Sequence, residues 1–460
     1  MPTTMSLVST LVTSPRTRIL GRVLPVAWDR VKTTPMAGCL SCITGLLCAA
    51  CLGPMVSAAQ DPMPSLCRSA APDWPQWRGR HRDGISGETG LLESWPEGGP
   101  KLLWKVSGIG CGYSSPVIVA DTVFITGDDD KELVISAFTL DGKPRWKTPN
   151  GESWTKSYPG ARSSCCFDDG KLYHMNAHGN LICLDAATGG ISWAVNVLER
   201  YEAKNTIWGI SESVLVHGDR VFATPAGSKG LMAALDKRTG APVWATPALD
   251  GEQASYSSPI LIREGNRELL VNSCSKHVIA VDAGSGALVW KLPQADPKNT
   301  VNTTPVLLDG RLMFTDSSPD FGLVSGVRFG GDAASQVWSR KLKVTHGGMV
   351  GVDGRLYGSS SSGDVTGWVA VDGETGNPAQ VKPAGELADG SLIVADGRFY
   401  CLTVRGLMTL QELTQTGFRT TGTFRLAEDN VQDAWAHPVV CQGRLFVRYA
   451  DVLYCYDVRR

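Results

Sequence analysis

The densest run of acidic side chains is Asp128-Asp129-Asp130-Lys131-Glu132, and clustered carboxylates are the ligands that calcium prefers. A calcium loop spaces its ligands over about twelve residues, with a glycine at its sharp turn and a final glutamate. This run has neither the glycine nor the spaced glutamate. It also falls where two short apolar segments must be connected. We therefore predict a solvated hairpin turn here and no metal site.

Other patterns that would indicate catalysis are missing from the sequence. The seven histidines are scattered, and although His174 and His178 are four residues apart, they do not form a His-Glu-x-x-His motif. There is no Gly-x-Ser-x-Gly sequence, phosphate-binding glycine loop or dinucleotide fingerprint. The net charge of -1 gives no basic surface for nucleic acid or an anionic membrane. The sequence predicts no catalytic residue and no nucleic-acid partner.

Cys165-Cys166 is the pair of side chains best suited to redox chemistry. A disulfide between neighbouring residues needs a distorted peptide, which a paired strand would resist. Comparison with the repeats described next places both residues at the start of a strand. We expect two thiols on opposite faces of that strand. Cys183 and Cys455 occupy a strand position held elsewhere by alanine, and we expect them to be small buried residues.

The chain repeats one pattern, and its cleanest copy runs from Ser255 to Leu292. Four short apolar pieces are separated by Gly, Asp, Asn and Ser, which is typical of four strands joined by turns. A tryptophan near the end of the fourth piece recurs every 46 to 51 residues, at Trp146, Trp193, Trp244, Trp290 and Trp338. A fixed period of this size in an all-strand chain predicts a β-propeller. We expect these tryptophans, together with Trp104, to dock between blades.

The two ends of the repeat region complement each other. The stretch 101–106 resembles a fourth strand without the first three, whereas 437–457 contains three strands without a fourth. A closed ring leaves no unpaired edge, so we predict that the N-terminal strand around Trp104 completes the last blade. Opening strands begin near Ser115, Ser164, Ser213, Ser258, Thr304, Gly348, Ser391 and His437. The fold predicted is therefore all-β, an eight-bladed propeller of four-stranded repeats.

In a propeller the first strand of each blade lines the central channel, and the residues just before it form the channel mouth. Packing alone would favour one repeated small residue there, as the neighbouring serines do. The position two before each strand instead carries aromatic rings, both charges and a histidine, with Ile210 in the third repeat and Trp208 just upstream of it. This mixture indicates a polar pocket with stacking surfaces. The predicted binding residues are Tyr113, Arg162, Trp208, Tyr256, Asn302, His346, Asp389 and Trp435.

The Asp-x-x-Thr-Gly-x-x-x-Trp turns resemble the tryptophan-docking motifs of bacterial PQQ-like propeller proteins. The phrases at 73–79, 208–213 and 435–439 are also similar to that family, and the resemblance covers about residues 72 to 460. It implies the propeller fold but leaves activity open. The fold hosts quinone-dependent alcohol dehydrogenases, some with adjacent cysteines over the cofactor. It also hosts cofactor-free scaffolds such as the outer-membrane protein assembly factor.

The N-terminus has the pattern of a targeting segment. Basic residues precede an apolar stretch from Met36 to Val56, and Ser57-Ala58-Ala59 supplies small residues for cleavage. Translation starting at Met36, and a lipid anchor on Cys51, both stay open. We predict three parts: a targeting segment (1–59), an extension packed on the propeller (60–100) and the propeller itself (101–460). The predicted location is the periplasm or cell envelope.

Three functions remain open. The favoured one is a non-catalytic, monomeric binding or assembly scaffold, whose partner is a protein or a small ligand and which has no cofactor. The alternative is a PQQ- and calcium-dependent alcohol dehydrogenase, which needs carboxylate, Asn and Arg groups converging in the channel. The aligned ring supplies one acid, one Asn and one Arg, each from a separate blade. The third is a carbohydrate- or polymer-binding part of a larger assembly.

Overall fold

The structure is a computed structural model, and it describes residues 73–249, 251–294, 301–317, 322–382, 389–427 and 432–460. The predicted targeting segment, residues 1–59, lies outside the described residues. The described residues form eight sheets, each with four antiparallel strands, that follow one another along the chain. The predicted all-β, eight-bladed propeller is confirmed.

Two strands, β1 (Ile85–Ser86) and β2 (Lys101–Ser107), precede the first blade. The first four blades then follow in chain order. Blade 1 contains β3 (Val117–Val119), β4 (Thr122–Asp129), β5 (Glu132–Thr139) and β6 (Pro144–Glu152). Blade 2 contains β7 (Cys166–Asp168), β8 (Lys171–Met175), β9 (Asn180–Asp185) and β10 (Ile191–Asn196). Blade 3 contains β11 (Leu215–His217), β12 (Arg220–Ala223), β13 (Ala233–Asp236) and β14 (Pro242–Ala245), and blade 4 contains β15 (Ile260–Glu264), β16 (Arg267–Ser273), β17 (His277–Asp282) and β18 (Leu288–Pro293).

The remaining four blades continue the same order. Blade 5 contains β19 (Val306–Leu308), β20 (Arg311–Ser317), β21 (Gly322–Gly330) and β22 (Ala333–Lys341). Blade 6 contains β23 (Met349–Val352), β24 (Arg355–Ser360), β25 (Gly367–Asp372) and β26 (Pro378–Lys382). Blade 7 contains β27 (Gly390–Ala395), β28 (Arg398–Thr403), β29 (Leu407–Thr414) and β30 (Gly417–Arg425), and blade 8 contains β31 (Val439–Cys441), β32 (Arg444–Tyr449) and β33 (Val452–Asp457).

Blade 8 is completed by β2, as predicted. The strand order in this sheet is β2-β33-β32-β31, so the N-terminal strand is the outermost. The pairing is antiparallel, with Trp104 opposite Cys455 and Lys105 opposite Tyr454. The short strand β1 pairs in parallel with β27 and gives blade 7 a fifth strand.

Five of the six predicted docking tryptophans donate from their indole nitrogen to a backbone carbonyl in the next blade. The acceptors for Trp104, Trp146, Trp193, Trp244 and Trp338 are the carbonyls of Leu140, Ala186, Lys237, Ala283 and Gly373. The turn that receives each ring ends in a glycine with positive φ. At Gly286, where φ is 77°, a Cβ would lie 2.6 Å from the ring of Trp244, so the turn needs a residue without a side chain.

Trp290 differs from the other five tryptophans. Its indole nitrogen is buried and finds no hydrogen-bond partner among the described residues. The hairpin of blade 5 that would receive it turns at Gly331-Asp332 and lacks the Asp-x-x-x-Gly sequence. Trp290 instead packs near Phe329, with ring centroids 6.5 Å apart. Arg267 and Glu264 of blade 4 bind this hairpin instead, through hydrogen bonds with Gly331 and Asp332.

Residues 73–86 lie across the ring and form hydrogen bonds with all eight blades. The bonds involve the first strand of each blade or the residues that lead into it. They join Trp74 to Ile118, Pro75 to Phe167, Arg82 to Ser213, Val214 and Pro259, Trp77 to Thr304, Arg78 to Met349, Gly84 to Val394, and Ser86 to Val440. This segment therefore joins blades that have no direct contact with one another.

Two arginines of this segment are almost completely buried. Arg78 is 2% exposed and Arg82 is 3% exposed. Arg82 donates to the carbonyls of Pro259 (2.6 Å) and Ser213 (3.0 Å), and Arg78 donates to the carbonyl of Met349 (2.5 Å). Burial lowers the pKa of each guanidinium to about 10, so both are still charged at neutral pH. The carbonyls around the channel replace water as their acceptors.

The structure has very little helix. Among the described residues the α-helical segment is α1 (Val197–Arg200), a single turn between β10 and β11. Its N-cap residue Asn196 accepts a hydrogen bond from the amide of Glu199. Crossing a membrane takes about 20 helical residues, and no helix in the described ranges approaches that length.

Candidate functional site

A cavity of about 390 Å³ opens at one end of the channel. Its walls come from the loops that precede the first strands of seven blades, all except blade 7. Seven of the eight residues predicted as binding residues lie in this lining: Tyr113, Arg162, Trp208, Tyr256, Asn302, His346 and Trp435. The chain separates the first and last of them by more than 300 residues, and the ring closure brings them together.

A ladder of hydroxyl hydrogen bonds holds these loops in register. The amide of Ser115 donates to the hydroxyl of Ser164, that of Ser164 to Ser213, and that of Ser213 to Ser258, over 2.9 to 3.0 Å. The amide of His437 donates to the hydroxyl of Ser115 and carries the ladder across the closure (2.8 Å). The repeated serines thus fix neighbouring loops relative to each other, and the more variable residues two positions earlier form the cavity wall.

Trp435 is the centre of an aromatic cluster. Its ring stacks on His346, with centroids 3.8 Å apart and planes at 11°. It also stacks on Tyr113 at 4.6 Å and 30°. Tyr158 lies 5.2 Å away at a tilted angle. Blades 1, 6 and 8 therefore meet through contacts between aromatic rings.

A second aromatic pair forms the wall on blades 3 and 4. The rings of Trp208 and Tyr256 are 5.6 Å apart, and the Trp208 amide donates to the Tyr256 hydroxyl (3.3 Å). Tyr158 contacts Trp208 edge-on at 6.3 Å, so it connects the two clusters. Tyr158 is half-exposed, and Ile207 beside Trp208 is 76% exposed. The rim of the cavity is therefore apolar as well.

Arg162 is held in place by backbone carbonyls. It donates to the carbonyls of Gly160 (2.5 Å), Tyr158 (2.8 Å) and Ser157 (3.3 Å). Its guanidinium lies 5.2 Å from the ring of Trp154. Burial lowers its pKa to about 10, which leaves it charged at neutral pH. The cavity therefore has a fixed positive charge in its wall.

His346 is neutral at physiological pH. Burial, with a smaller contribution from Arg162, lowers its pKa to about 4. Its Nε2 lies 3.3 Å from the side-chain nitrogen of Asn302. Below it, burial lowers the pKa of His437 to about 3, and Nε2 of His437 is 3.1 Å from the His346 carbonyl oxygen. Both imidazoles act as hydrogen-bonding rings and add no charge to the cavity.

Asp389 is not part of the lining. Its carboxylate accepts from the hydroxyl of Thr345 (2.9 and 3.0 Å), and Thr345 lies between it and the cavity. Burial raises the pKa of this carboxyl. No carboxylate of the described residues lines the cavity. The charge balance of the wall is therefore positive, from Arg162 and Lys343.

The floor of the cavity is Trp77, which the aligned ring did not include. Its indole nitrogen donates to the Thr304 hydroxyl (2.9 Å), and its ring contacts His437 edge-on at 4.6 Å. Arg78 and Arg82 follow it in the same segment. Tyr158, Lys343 and Thr345 also line the cavity without having been predicted. Their signal in the sequence was weak, because Trp77 lies outside the repeats and Tyr158 lies in the longer loop after β6.

The adjacent cysteines lie away from the cavity. Cys165 and Cys166 are 2% and 3% exposed, and both are free thiols. Cys165 packs among Leu172 and Ile182, whereas Cys166 packs with Tyr173 in a different apolar cluster. The two thiols thus occupy opposite faces of the sheet. Burial raises the pKa of both, that of Cys166 to about 11.

The acidic run lies in the hairpin between β4 and β5. Asp129 pairs with Glu132 across the turn. Asp128 is partly buried and accepts from the Trp154 amide (2.8 Å), and burial raises its pKa to about 6. Among the described residues no three His, Cys, Asp or Glu side chains are grouped so that they could hold a metal ion.

Residues 130–377 match the family model described as outer membrane protein assembly factor BamB. No curated protein matches the chain. BamB from Moraxella catarrhalis is a structural neighbour, with TM-score 0.54 and 18% identity over 78% of this chain and 98% of its own. Quinohemoprotein alcohol dehydrogenase from Comamonas testosteroni has TM-score 0.61 and 13% identity over 85% of this chain and 81% of its own. At these identities the likeness is one of fold alone.

Proposed function

The chain belongs to the family described as outer membrane protein assembly factor BamB, and we propose that it is a non-catalytic binding propeller whose partner, a protein or a small ligand, occupies the cavity at the channel mouth. The observation that carries this proposal is the composition of one cavity wall. Six aromatic rings and the guanidinium of Arg162 converge on about 390 Å³, the lower part of the usual range for small-ligand pockets. They are Trp77, Tyr113, Tyr158, Trp208, Tyr256 and Trp435.

The scaffold supports binding because the wall is rigid. The serine ladder, the stacked rings and the carbonyls around Arg162 fix the lining before any ligand arrives. A preorganised site loses little conformational entropy when a ligand binds. Among the lining residues that the structure describes, none is a nucleophile activated by a neighbouring base, which acyl or glycosyl transfer would need.

The test uses the protein purified in its native state and analysed for co-purified small molecules and proteins by native mass spectrometry. Tyr256→Ala combined with Arg162→Ala should abolish recovery of whatever the wild type retains and leave the melting temperature nearly unchanged. The matched control is Arg238→Ala with Arg419→Ala, since both arginines are exposed and remote from the cavity. A double variant that retains the same partner as the wild type would contradict the proposal.

The residues around the cavity do not suit the dehydrogenase alternative. A calcium-held quinone needs oxygen ligands, above all carboxylates. The cavity wall offers none among the described residues, since Asp389 is bound by Thr345. Cys165 and Cys166 are buried within blade packing and cannot cover a cofactor there. The residues do not fit a calcium–PQQ site, and we propose that the protein carries no such cofactor. Titration with PQQ and calcium, followed by absorbance and dye reduction with alcohols, would reveal stoichiometric binding if this is wrong.

We also propose that the protein is exported to the periplasm or cell envelope and acts as a monomer. The support is the pattern of residues 1–59 together with membership of a family described as an outer membrane assembly factor. Mass spectrometry of protein from an exporting host should find an N-terminus near Gln60. A mature N-terminus upstream of Met36 would refute this cleavage, and light scattering of the purified chain checks the monomer.

A further inference from the structure

We infer that the cavity binds a flat aromatic ring that carries a carboxylate. This inference rests on the function proposed above and names the chemistry of the ligand for the same site. It follows from three properties of the wall: the sign of its charge, the state of its hydroxyl groups, and the amount of aromatic surface that remains.

The charge of the wall selects an anion. Arg162 and Lys343 both line the cavity, and neither forms an ion pair with a carboxylate of the described residues. Arg162 donates to carbonyls, which are neutral, and the nearby carboxyl of Asp128 acts on it from outside the cavity lining without forming an ion pair, so no carboxylate of the described lining neutralises its charge. His346 adds no charge, because burial lowers its pKa. A carboxylate would form charge-assisted hydrogen bonds with the free N–H groups of Arg162.

The same charge argues against a cationic ligand. Aromatic cages often bind quaternary ammonium groups through the negative faces of their rings. In such cages the bound cation is the only positive charge, or an acidic side chain lies beside it. Here Arg162 and Lys343 would repel a bound cation, and no carboxylate in the described wall compensates.

The hydroxyl groups of the wall argue against a sugar. A carbohydrate has many hydrogen-bond donors and acceptors, and its binding site must form hydrogen bonds with most of them. Thr304 already accepts from Trp77, and Thr345 already donates to Asp389. Ser213 and Ser258 accept from the serine ladder. Asn302 contacts His346. Each of these polar groups therefore already makes one hydrogen bond inside the protein, which leaves fewer donors and acceptors for a polyhydroxylated ligand than an unpartnered polar wall would offer.

What remains accessible is aromatic surface and positive charge. Trp208, Tyr256 and Trp435 are half-buried and Tyr158 is half-exposed, so each retains surface facing the cavity. Offset stacking on such rings adds to the gain from apolar burial. A flat ring uses these surfaces, and an attached carboxylate uses Arg162. Two sources share this chemistry: a free aryl acid, and the C-terminal aromatic residue of a polypeptide.

The experiment measures binding to the purified full-length protein by calorimetry with matched probes. The first pair is 2-naphthoate and 2-naphthamide, which differ in charge and hardly in shape. The second pair is a short peptide that ends in phenylalanine, with a free or an amidated carboxyl group. We expect the charged member of at least one pair to bind about tenfold more tightly than its neutral counterpart. A preference in the naphthoate pair alone indicates a free acid, and one in the peptide pair alone indicates a chain terminus.

Variants assign the preference to the residues named. Arg162→Gln should reduce the acid-to-amide ratio to near one, and Arg162→Lys should restore much of it. Arg238→Gln, at an exposed ion pair outside the cavity, should leave the ratio unchanged. Equal binding of acid and amide, or no binding of either pair, would overturn the inference. A neutral disaccharide that binds the wild type and not Tyr256→Ala would also overturn it, while leaving the proposed binding function intact.

Discussion

His346 stacks face to face on Trp435, with ring centroids 3.8 Å apart, although the two residues belong to the loops of blades 6 and 8. Burial of the imidazole in this stack, with a smaller contribution from Arg162, lowers the pKa of His346 to about 4. The unfolded chain has no such constraint, and there histidine titrates near 6.5. Folding and protonation of this residue are therefore linked.

The first prediction concerns this linkage. Between pH 6.5 and 4 the unfolded state binds a proton on His346 and the folded state does not, so stability falls as the pH falls. By pH 4.5 His346 should account for roughly 2 kcal/mol of that loss. His346→Phe keeps a flat ring on Trp435 and removes the titration. Urea unfolding at pH 7 and pH 4.5 should show a smaller difference in the variant, and an identical difference would refute the linkage.

The second prediction concerns ring closure. Deletion of residues 60–106 removes β2 and uncovers the edge of β33, whose unpaired backbone groups can pair with another chain. It also removes the segment that joins all eight blades. We expect aggregation by light scattering and loss of a cooperative melt. A truncated protein that stays monomeric and melts at the wild-type temperature would contradict the role of β2.

The third prediction concerns Arg82. Replacement by Met leaves the carbonyls of Ser213, Val214 and Pro259 without their donor inside the channel. Each unsatisfied buried carbonyl costs about 1–3 kcal/mol, so the variant should lose at least about 2 kcal/mol in chemical denaturation. Arg80→Met is the control, because Arg80 is exposed and lies 4.0 Å from Asp73. Equal stability of the two variants would show that the buried bonds contribute nothing.

The fourth prediction separates two costs at the docking glycines. Gly286→Ala places a methyl group against the Trp244 ring and also imposes an unfavourable positive φ. Gly397→Ala imposes a similar φ of 70° in open space. The first variant should be destabilised more than the second, by about 1 kcal/mol or more for the displaced ring. Thermal unfolding of both proteins measures the difference, and equal losses would remove the steric contribution.

The fifth prediction concerns the thiols. Cys111 is exposed, whereas Cys165 and Cys166 are buried, and burial raises the pKa of both of these thiols. Alkylation of the native protein followed by peptide mapping should label Cys111 and spare the pair until urea unfolds the chain. Replacing Cys165 and Cys166 by Ser and Val should change stability more than binding. Recovery of a Cys165–Cys166 disulfide from native protein would contradict the strand geometry.

The fold could be predicted well from the sequence because each blade repeats the same pattern of strands and turns. The Asp-x-x-Thr-Gly turn and its tryptophan recur often enough that the blade count and the closing strand could be read from spacing alone. Trp290 kept the pattern, yet its indole lacks the expected acceptor, because the receiving hairpin in blade 5 has a different turn. The local sequence identifies the tryptophan, but whether its indole forms a hydrogen bond depends on the turn in the next blade.

The site was harder to predict than the fold. Alignment of the repeats identified eight candidate residues, and seven of them line one cavity. This is because residues at the same position in each repeat lie at the same end of their blades. Asp389 holds an equivalent position, but Thr345 stands between it and the cavity. Trp77 comes from a segment that belongs to no blade. An alignment of repeats cannot locate residues that reach the cavity from outside the repeats.

The contacts of residues 73–86 also determine when folding of the propeller can be completed. This segment is made before all eight blades, yet its partners include β31 of the last blade, about 350 residues later in the chain. Contacts of such long sequence separation form late and slow the overall rate. The buried arginines cannot find all their acceptors until the final blade exists. The chain should therefore reach its native state only after the last blade has been synthesised.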